Sequence, residues 1–436
     1  DPELLRRAGY YTWTDHKLDY QFSGVLSGSG PFTIWDEQGG DGHWRNRASG
    51  QPFYGLINFM ATHESGIFTP LGNWPHSLQH LFMQVTRAFT VPAVDENTPV
   101  TPEQVIVPPY YPDTATVRAD MARHYNNIAA MDRQVDDILA QLEADGLADS
   151  TIVIWTTDHG DGLPRAKREL FDSGIRVPMI IRWPEAYRPR GVTAGEIDSR
   201  LVSFVDLAPT LLQLAEVELP SYLQGQDFIN AVPREYVYAS RDRIDEVPDP
   251  QRAVRDGRYK YIRSWYPQQP GGHHLAFRDN MDMMLELWSM LEAGELNAAQ
   301  RQWFEAPGEE RLFDLVSDPH ELDNLADEQA YKGQVQRMRS ALAAWRARVD
   351  DWSEDSEADM VARFRPNGSA PLTAAPEWVV SKDRVQLSSA SEGASIGYRI
   401  DGGRWQLYTR PVKLDRGSEL EAKAVRYGWA ESETVA

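Results

Sequence analysis

The pattern of apolar and polar residues predicts an α/β domain built around one central segment. The run 151–157 is apolar and β-branched without polar alternation, which is typical of a strand buried on both faces of a parallel sheet. An apolar stripe at helical spacing over 116–144 precedes this run, and a second apolar run over 177–183 follows it. A helix that leads into a strand is the order of a crossover between parallel strands. We therefore expect these strands, and the polar loop between them, at the centre of the domain.

The rest of the sequence predicts shorter helices and strands, a linker and the domain boundaries. Residues 66–115 are rich in proline and are expected to be irregular, whereas the composition of 354–376 is typical of a linker. The shorter predicted elements are strands over 10–14, 53–60 and 235–240, a hairpin over 253–265 that turns at Asp256-Gly257, helices over 203–214 and 334–349, and tail strands over 384–387, 395–400 and 419–424. The predicted domains are an α/β domain over 1–231, a smaller α+β subdomain over 232–353, the linker over 354–376 and a β-sandwich-like tail over 377–436.

The composition narrows the classes of function. The chain has 436 residues, enough for two domains, and an apolar fraction of 42%, enough to build a core. The net charge of −21 argues against nucleic acid or an anionic membrane surface as the main partner. No stretch approaches the ~20 apolar residues of a membrane span, so we expect no membrane insertion. The absence of cysteine excludes disulfides, thiolate metal sites and a cysteine nucleophile within this sequence.

Ionisable residues follow three predicted strands at the point where each strand ends. They are Lys17 and Asp19 after the first, His63 after the second, and Asp158, His159 and Lys167 after the third. In open α/β sheets, ligands bind outside the carboxyl ends of the strands. This set combines carboxylates that suit a cation with cations that suit an anion. Metal-assisted hydrolysis of a phosphate or sulfate ester needs both.

Each of these residues also has an ordinary structural interpretation. Lys17 and Lys167 are of a type that is commonly a solvated surface charge, and His63 follows an apolar strand where a satisfied core histidine is common. Asp158 is of a type that caps a helix, and His159 can bond locally. The convergence of the strand ends indicates an active site, and from the residues alone the reaction stays open.

Several segments then resemble one family, the type I sulfatases of the alkaline phosphatase superfamily. The family's central segment is similar to TIVIWTTDHGD followed by AKRELFDSGIRVPMIIRWP. Its earlier segments are similar to LLRRAGYYTWTDHKLDY and PFYGLINFMATHES, and its later ones to RLFDLVSDPHELDNLAD. The tail GYRIDGGRWQLYTRPVKLDRGSELEAKAVRYGWAES resembles a small β-domain appended to some bacterial sulfatases and hexosaminidases.

The resemblance implies a fold, a cofactor and roles for individual residues. The fold would be alkaline-phosphatase-like, with a mixed, mostly parallel sheet sandwiched by helices. Asp158 and His159 fall where the family holds a divalent cation, usually calcium, which prefers oxygen ligands. The positions of Lys17, His63 and Lys167 are those that contact the sulfate and its leaving oxygen in the family. The residues expected to contact substrate around them are Asp19, Arg165 and Arg241.

Two departures from the family pattern change the expected site. Asp19 replaces a usual histidine, which makes the sequence similar to the sulfamidase-like and heparan-type branch. The family's formylglycine nucleophile is made from Cys or Ser in a C/S-x-P-S-R motif, and no such motif occurs in these 436 residues. The paired N-terminal aspartates of the metal site are also missing. We therefore expect a separate N-terminal segment or partner chain to carry the formylglycine and complete the domain.

The predicted function is hydrolysis of sulfate esters, with a sulfated carbohydrate as the substrate and partner. The resemblance also implies export to the periplasm or beyond the cell. Two alternatives stay open. One is a phosphodiesterase or phosphonate monoester hydrolase of the same superfamily, which a panel of sulfate and phosphate esters would separate. The other is a non-catalytic carbohydrate-binding protein, which would follow if no nucleophile completes the site.

Overall fold

The computed structural model describes residues 2–15, 17, 32–40, 42–91 and 99–436. The helices are α1 (Pro2–Arg7), α2 (Leu78–Thr90), α3 (Ala115–Ala144), α4 (Asp172–Ile175), α5 (Leu207–Leu214), α6 (Asp282–Ala293), α7 (Ala298–Arg301), α8 (Lys332–Val349) and α9 (Glu357–Phe364). The strands are β1 (Tyr11–Asp15), β2 (Glu37–Gln38), β3 (Phe53–Ile57), β4 (Val153–Thr156), β5 (Met179–Arg182), β6 (Val237–Ile244), β7 (Val247–Arg255), β8 (Tyr259–Ser264), β9 (Glu310–Asp314), β10 (Glu377–Ser381), β11 (Arg384–Ser388), β12 (Ser395–Ile400), β13 (Gln406–Leu407), β14 (Val412–Lys413) and β15 (Leu420–Val425).

The chain divides into two compact units that interleave along the sequence. Unit one consists of Asp1–Asn58, Phe204–Phe228 and Asp355–Ala436. Unit two consists of Phe59–Ser203 and Ile229–Glu354. The sequential domain borders at 231 and 353 remain a sequence-based prediction.

Unit one begins with a helix and a parallel sheet. The short helix α1 ends before Gly9, whose φ of +96° suits glycine and turns the chain into β1. Strand β1 pairs in parallel with both β2 and β3, with Tyr11 opposite Phe53 and Asp15 opposite Ile57. The parallel arrangement places the carboxyl ends of β1 and β3 at the same edge. Lys17 follows β1 at that edge and is exposed.

The tail of unit one is a pair of small antiparallel sheets. One has the order β10-β11-β14 and the other the order β13-β12-β15. Their inner faces share a core that includes Val385, Leu387 and Ile396. This arrangement agrees with the predicted β-sandwich-like tail. The preceding segment differs from a plain linker because it contains α9, which starts at Ser356, whose hydroxyl accepts a hydrogen bond from the Asp359 amide at 3.1 Å.

Unit two is centred on a four-stranded antiparallel sheet, β6-β7-β8-β9, with both faces buried. Successive side chains of a strand point to opposite faces. On one face Ala253, Ile262 and Phe313 join the main core with α3 and α6, whereas on the other Val254, Tyr261 and Leu312 pack against α8. The predicted hairpin at Asp256-Gly257 is the turn between β7 and β8.

The helices of unit two include one that the sequence pattern missed. Helix α3 agrees closely with the predicted 116–144. Helix α2, however, lies in the stretch expected to be irregular, and the Ser77 hydroxyl caps it by accepting a hydrogen bond from the His80 amide at 3.0 Å. Among the helices of the described residues, α3 included, none is long and apolar enough to cross a membrane.

The strand before the candidate site differs from its prediction. Strand β4 pairs with β5 in antiparallel register, from Val153 opposite Arg182 to Thr156 opposite Met179. Its four residues are half-buried. The expectation of a parallel strand buried on both faces is therefore wrong for this pair, because the loop that joins β4 to β5 turns the chain back beside itself.

A buried ion cluster ties the start of α4 to the four-stranded sheet. The Lys260 ammonium on β8 is fully buried and lies 2.5 Å from Asp172 Oδ1 and 2.8 Å from Glu321 Oε1. Burial opposes ionisation of Asp172, but Lys260 outweighs it and lowers the pKa of that carboxyl. Burial raises the pKa of Glu321. Each charge in the cluster is therefore stable only while its partners are present.

Replacing Lys260 with alanine leaves the buried Glu321 carboxyl group without its cation and leaves Asp172 with Arg255, 3.4 Å away, as its contacting cation. We expect this change to lower the free energy of unfolding by about 3–5 kcal/mol, measured by chemical denaturation. The matched control is Arg301→Ala, which removes an exposed pair with Glu305 at i,i+4 and should cost less than about 0.5 kcal/mol. Equal losses in the two variants would show that the buried cluster does not support the fold.

Candidate active site

Two side chains that can bind a cation, those of Asp158 and His159, follow β4. Asp158 has an exposed side chain, and its Oδ1 lies 3.6 Å from His159 Nε2. The other ring nitrogen, Nδ1, lies 2.7 Å from the Gly160 carbonyl oxygen, which can only accept a hydrogen bond. The ring therefore carries a proton on Nδ1, which leaves the Nε2 lone pair free to bind a cation.

This pair fits two positions of a metal site. A metal-binding histidine commonly donates its second ring N–H to a backbone carbonyl, as His159 does here. Carboxylate oxygen also suits a hard cation such as calcium. Within the part of the chain that the structure describes, no group of three or more His, Cys, Asp or Glu side chains is arranged to hold a metal ion. Asp158 and His159 thus form an incomplete donor set.

His63 ends the segment after β3 with a defined ring orientation. Its Nδ1 accepts a hydrogen bond from the Ser65 amide at 3.3 Å and lies 2.8 Å from the Ser65 hydroxyl. Because a backbone N–H can only donate, the neutral ring carries its proton on Nε2. The edge of the ring packs against Phe277, with the ring centroids 6.0 Å apart. The neutral His63 ring can therefore donate a hydrogen bond through Nε2.

Lys167 lies beside the residue that follows His63. Its Nζ is 3.0 Å from Glu64 Oε2, and the neighbouring Arg168 NH1 donates to Glu64 Oε1 at 2.8 Å. Glu64 is fully buried, whereas 23% of the Lys167 side chain remains exposed. The main chain of Lys167 is also fixed, because its amide donates to the Asp161 carbonyl at 2.9 Å. The ammonium is thus partly open to solvent on a restrained loop.

The loop packs closely on Glu64 and receives a further contact from α3. A Cβ added at Gly162 would lie 3.2 Å from the Glu64 Cα, so only glycine fits without movement. The Asp161 carboxylate lies 3.1 Å from His124 Nε2 on α3. These contacts bring the loop after β4, the turn after β3 and one face of α3 together in unit two.

Two predicted substrate contacts are enclosed within the protein. Arg165 donates to the carbonyls of His320 at 3.0 Å and Glu321 at 2.9 Å, and burial lowers its pKa. Arg241 donates to Glu169 Oε2 at 2.6 Å and also pairs with Asp249. Burial opposes the charge on Arg241, but these two carboxylates outweigh it and raise the pKa of the guanidinium.

The positions of Arg165 and Arg241 differ from what substrate binding requires. Both guanidinium groups are more than nine-tenths buried, and their donors are directed at protein acceptors. We therefore leave both out of the proposed substrate-binding set. Arg241 instead supports the site, because its NH1 donates to the Arg168 carbonyl at 2.7 Å, next to Lys167.

The remaining predicted residues lie elsewhere. Lys17 belongs to unit one, and its amide donates to the Asp15 carbonyl at 2.9 Å. Asp19 lies outside the described residues. The sequence pattern missed Glu64 and Arg168 as members of the cluster. Their one signal was adjacency in the chain, since Glu64 follows His63 and Arg168 follows Lys167.

Comparisons with known proteins agree with the resemblance. A family model described as Sulfatase matches residues 42–217, and one described as N-sulphoglucosamine sulphohydrolase, C-terminal, matches residues 165–275. An ulvan-active sulfatase of Formosa agariphila is 37% identical over 463 aligned residues, covering 99% of this chain and 75% of that protein. The N-sulphoglucosamine sulphohydrolase of Homo sapiens is 26% identical, and the match covers 57% of this chain and 52% of that protein. This chain thus spans about half the length of the human relative.

The structural comparison supports the fold. A solved structure of a protein in complex with its substrate D-glucosamine-2-N,6-O-disulfate has a TM-score of 0.52 and 16% sequence identity, covering 81% of this chain and 83% of that chain. The predicted alkaline-phosphatase-like α/β fold class is confirmed. The 37% identity to the Formosa protein, over 99% of this chain and 75% of that protein, establishes the family. The chain belongs to the sulfatase family of the alkaline phosphatase superfamily and is a sulfuric ester hydrolase.

Proposed function

We propose that this sulfatase removes sulfate groups from a sulfated carbohydrate. The observation that carries the proposal is the identity of 37% across almost the whole chain to an ulvan-active sulfatase. An N-acetylglucosamine-6-O-sulfatase of Bacteroides thetaiotaomicron is a further relative, at 24% identity over 54% of this chain. Both names describe sulfatases of sugar substrates.

The residues of unit two supply part of the chemistry. Lys167 binds an oxygen of the sulfate group through its ammonium, which is partly exposed and pairs with Glu64. His63 donates a hydrogen bond from Nε2 to the leaving oxygen of the sugar and stabilises the negative charge that develops there. On the resemblance alone, Lys17 is proposed as a contact to the sulfate group and Asp19 as a contact to the sugar.

Asp158 and His159 are proposed as ligands of a divalent cation, with calcium as the expected ion. A cation held there would stabilise negative charge on the sulfate oxygens. The nucleophile is proposed to be a formylglycine on residues outside these 436. The greater length of the Formosa relative, of which a quarter lies outside the match, supports that proposal. We also propose a periplasmic or secreted location, where a polymeric sulfated substrate would be met.

The direct experiment offers the full-length protein a panel of sulfated polysaccharides, including ulvan and heparan sulfate. Ion chromatography measures the sulfate released. We expect release from at least one polysaccharide at a rate that rises with enzyme concentration. Cleavage of phosphodiesters without release of sulfate from any member of the panel would overturn the proposal.

Removing the Lys167 ammonium or the His63 imidazole should slow hydrolysis sharply. We expect Lys167→Ala and His63→Ala each to lower kcat/KM for a sulfate ester by about 10²–10⁴-fold, because each group acts on charge that develops in the transition state. Lys332→Ala removes an exposed lysine at the start of α8 and is the matched control. A rate near that of the unmodified enzyme in either site variant would exclude that residue from the reaction.

Calcium binding should depend on Asp158. We expect Asp158→Ala to weaken calcium affinity at least about tenfold in equilibrium dialysis, because a carboxylate is a preferred ligand of this ion. Asp149→Ala, which removes an exposed carboxylate before β4, should leave the affinity unchanged. Equal affinities of the Asp158 and Asp149 variants would place the metal elsewhere.

A further inference from the structure

A buried carboxylate lies against the cation that is proposed to bind the substrate. Glu64 Oε2 is 3.0 Å from Lys167 Nζ, and none of the Glu64 side chain is exposed to solvent. A negative charge at this position weakens the attraction of the site for any anion. If Lys167 served only to bind an anion tightly, its ammonium would bind that anion more strongly without Glu64 beside it. The position of the Glu64 carboxylate therefore indicates a role other than increasing the affinity of Lys167 for anions.

Contacts at the carboxylate and at the main chain hold Glu64 in place. Its Oε1 accepts a hydrogen bond from Arg168 NH1 at 2.8 Å, and Arg168 is itself anchored by Asp245 Oδ1 at 2.9 Å from its Nε. Arg241 holds the Arg168 carbonyl at 2.7 Å. The close approach of Gly162 to the Glu64 Cα leaves no room for the main chain to retreat. The carboxylate is thus fixed in position beside Lys167.

The charges in contact with one another sum to zero. Lys167 and Arg168 contribute two positive charges, and Glu64 and Asp245 contribute two negative ones. The positive charge of the Lys167 ammonium is therefore already partly offset by Glu64 when an anion arrives. A sulfate monoester carries one negative charge, whereas a phosphate monoester carries close to two near neutral pH, because its second pKa is about 6. The second charge of the phosphate ester would be repelled by Glu64.

We propose that Glu64 is a positioning and specificity-determining residue. It holds the Lys167 ammonium in place, and its buried charge makes the site favour monoanionic esters over dianionic ones. The preferred class contains sulfate monoesters and excludes phosphate monoesters of the same shape. This inference rests on the proposed function, in which Lys167 contacts the sulfate group.

The test compares two chromogenic esters that share a leaving group, 4-nitrophenyl sulfate and 4-nitrophenyl phosphate. In the full-length protein, Glu64→Gln removes the charge and keeps the size of the side chain. We expect the ratio of kcat/KM for the sulfate ester to kcat/KM for the phosphate ester to fall at least about tenfold. A purely structural role would slow both substrates alike and leave the ratio unchanged.

Two further variants separate charge from packing. Glu64→Asp keeps the charge but shortens the side chain, so it should slow turnover while it retains most of the preference for sulfate. Asp245→Asn is the matched control, since it removes a carboxylate that contacts Arg168 and not Lys167. Its ratio should stay within about twofold of the unmodified protein, because 36% of the Asp245 side chain is exposed and solvent screens its charge. A ratio in Glu64→Gln that also stays within about twofold would overturn the proposal.

Lys167→Ala distinguishes failure of this inference from failure of the proposed function. If that variant hydrolyses the sulfate ester at the normal rate, Lys167 is not a substrate contact, and this inference falls together with the proposed role of Lys167. If it is inactive while Glu64→Gln keeps the normal ratio, the charge preference of Glu64 alone is wrong. Should Glu64→Gln not fold, calorimetry with the unmodified protein decides the matter. It must bind methyl sulfate more tightly than methyl phosphate, and the reverse order would overturn the inference.

Discussion

The need to pair every buried charge is the constraint on which the candidate site depends. Removing an ion from water is costly unless a partner of opposite charge and further hydrogen bonds accompany it. Three such pairings hold the loop between β4 and α4: Glu64 with Lys167, Arg241 with Glu169, and Lys260 with Asp172. Two of these partners lie on the four-stranded sheet of unit two. The position of the loop is therefore set by strands that follow it in the sequence by about seventy residues or more.

The local part of the fold could be predicted from the sequence. Helix α3 has an apolar stripe over thirty residues, and the turn at Asp256-Gly257 has its own backbone chemistry, so both were expected close to where they occur. Helix α2 was missed because proline-rich neighbours obscured the thirteen residues after Ser77. The direction of β4 could not be predicted either. An apolar run shows that a strand is partly buried, but its pairing is set by the path of the loop after it.

Individual residues of the candidate site could be predicted from the sequence. Their contacts with one another could not. The position of His63 at the end of a strand segment was visible in the pattern, yet Glu64 and Lys167 are 103 residues apart and meet only through tertiary packing. Arg165 and Arg241 show the opposite difficulty. Arginine is usually exposed and commonly binds anions, so the sequence alone favoured a substrate contact. Buried carbonyl and carboxylate acceptors, which no local pattern reveals, give these residues structural partners.

The interleaving of the two units has a consequence for biosynthesis. Every part of unit two has been synthesised once Glu354 has left the ribosome, so this unit can fold while synthesis continues. Unit one needs Asp355–Ala436, and at ordinary rates of translation these residues take roughly 4–16 s more. During that interval α1 lacks Ser395, whose hydroxyl donates a hydrogen bond to the Glu3 carboxylate. The order of synthesis thus makes unit one the part of the chain that completes its packing last.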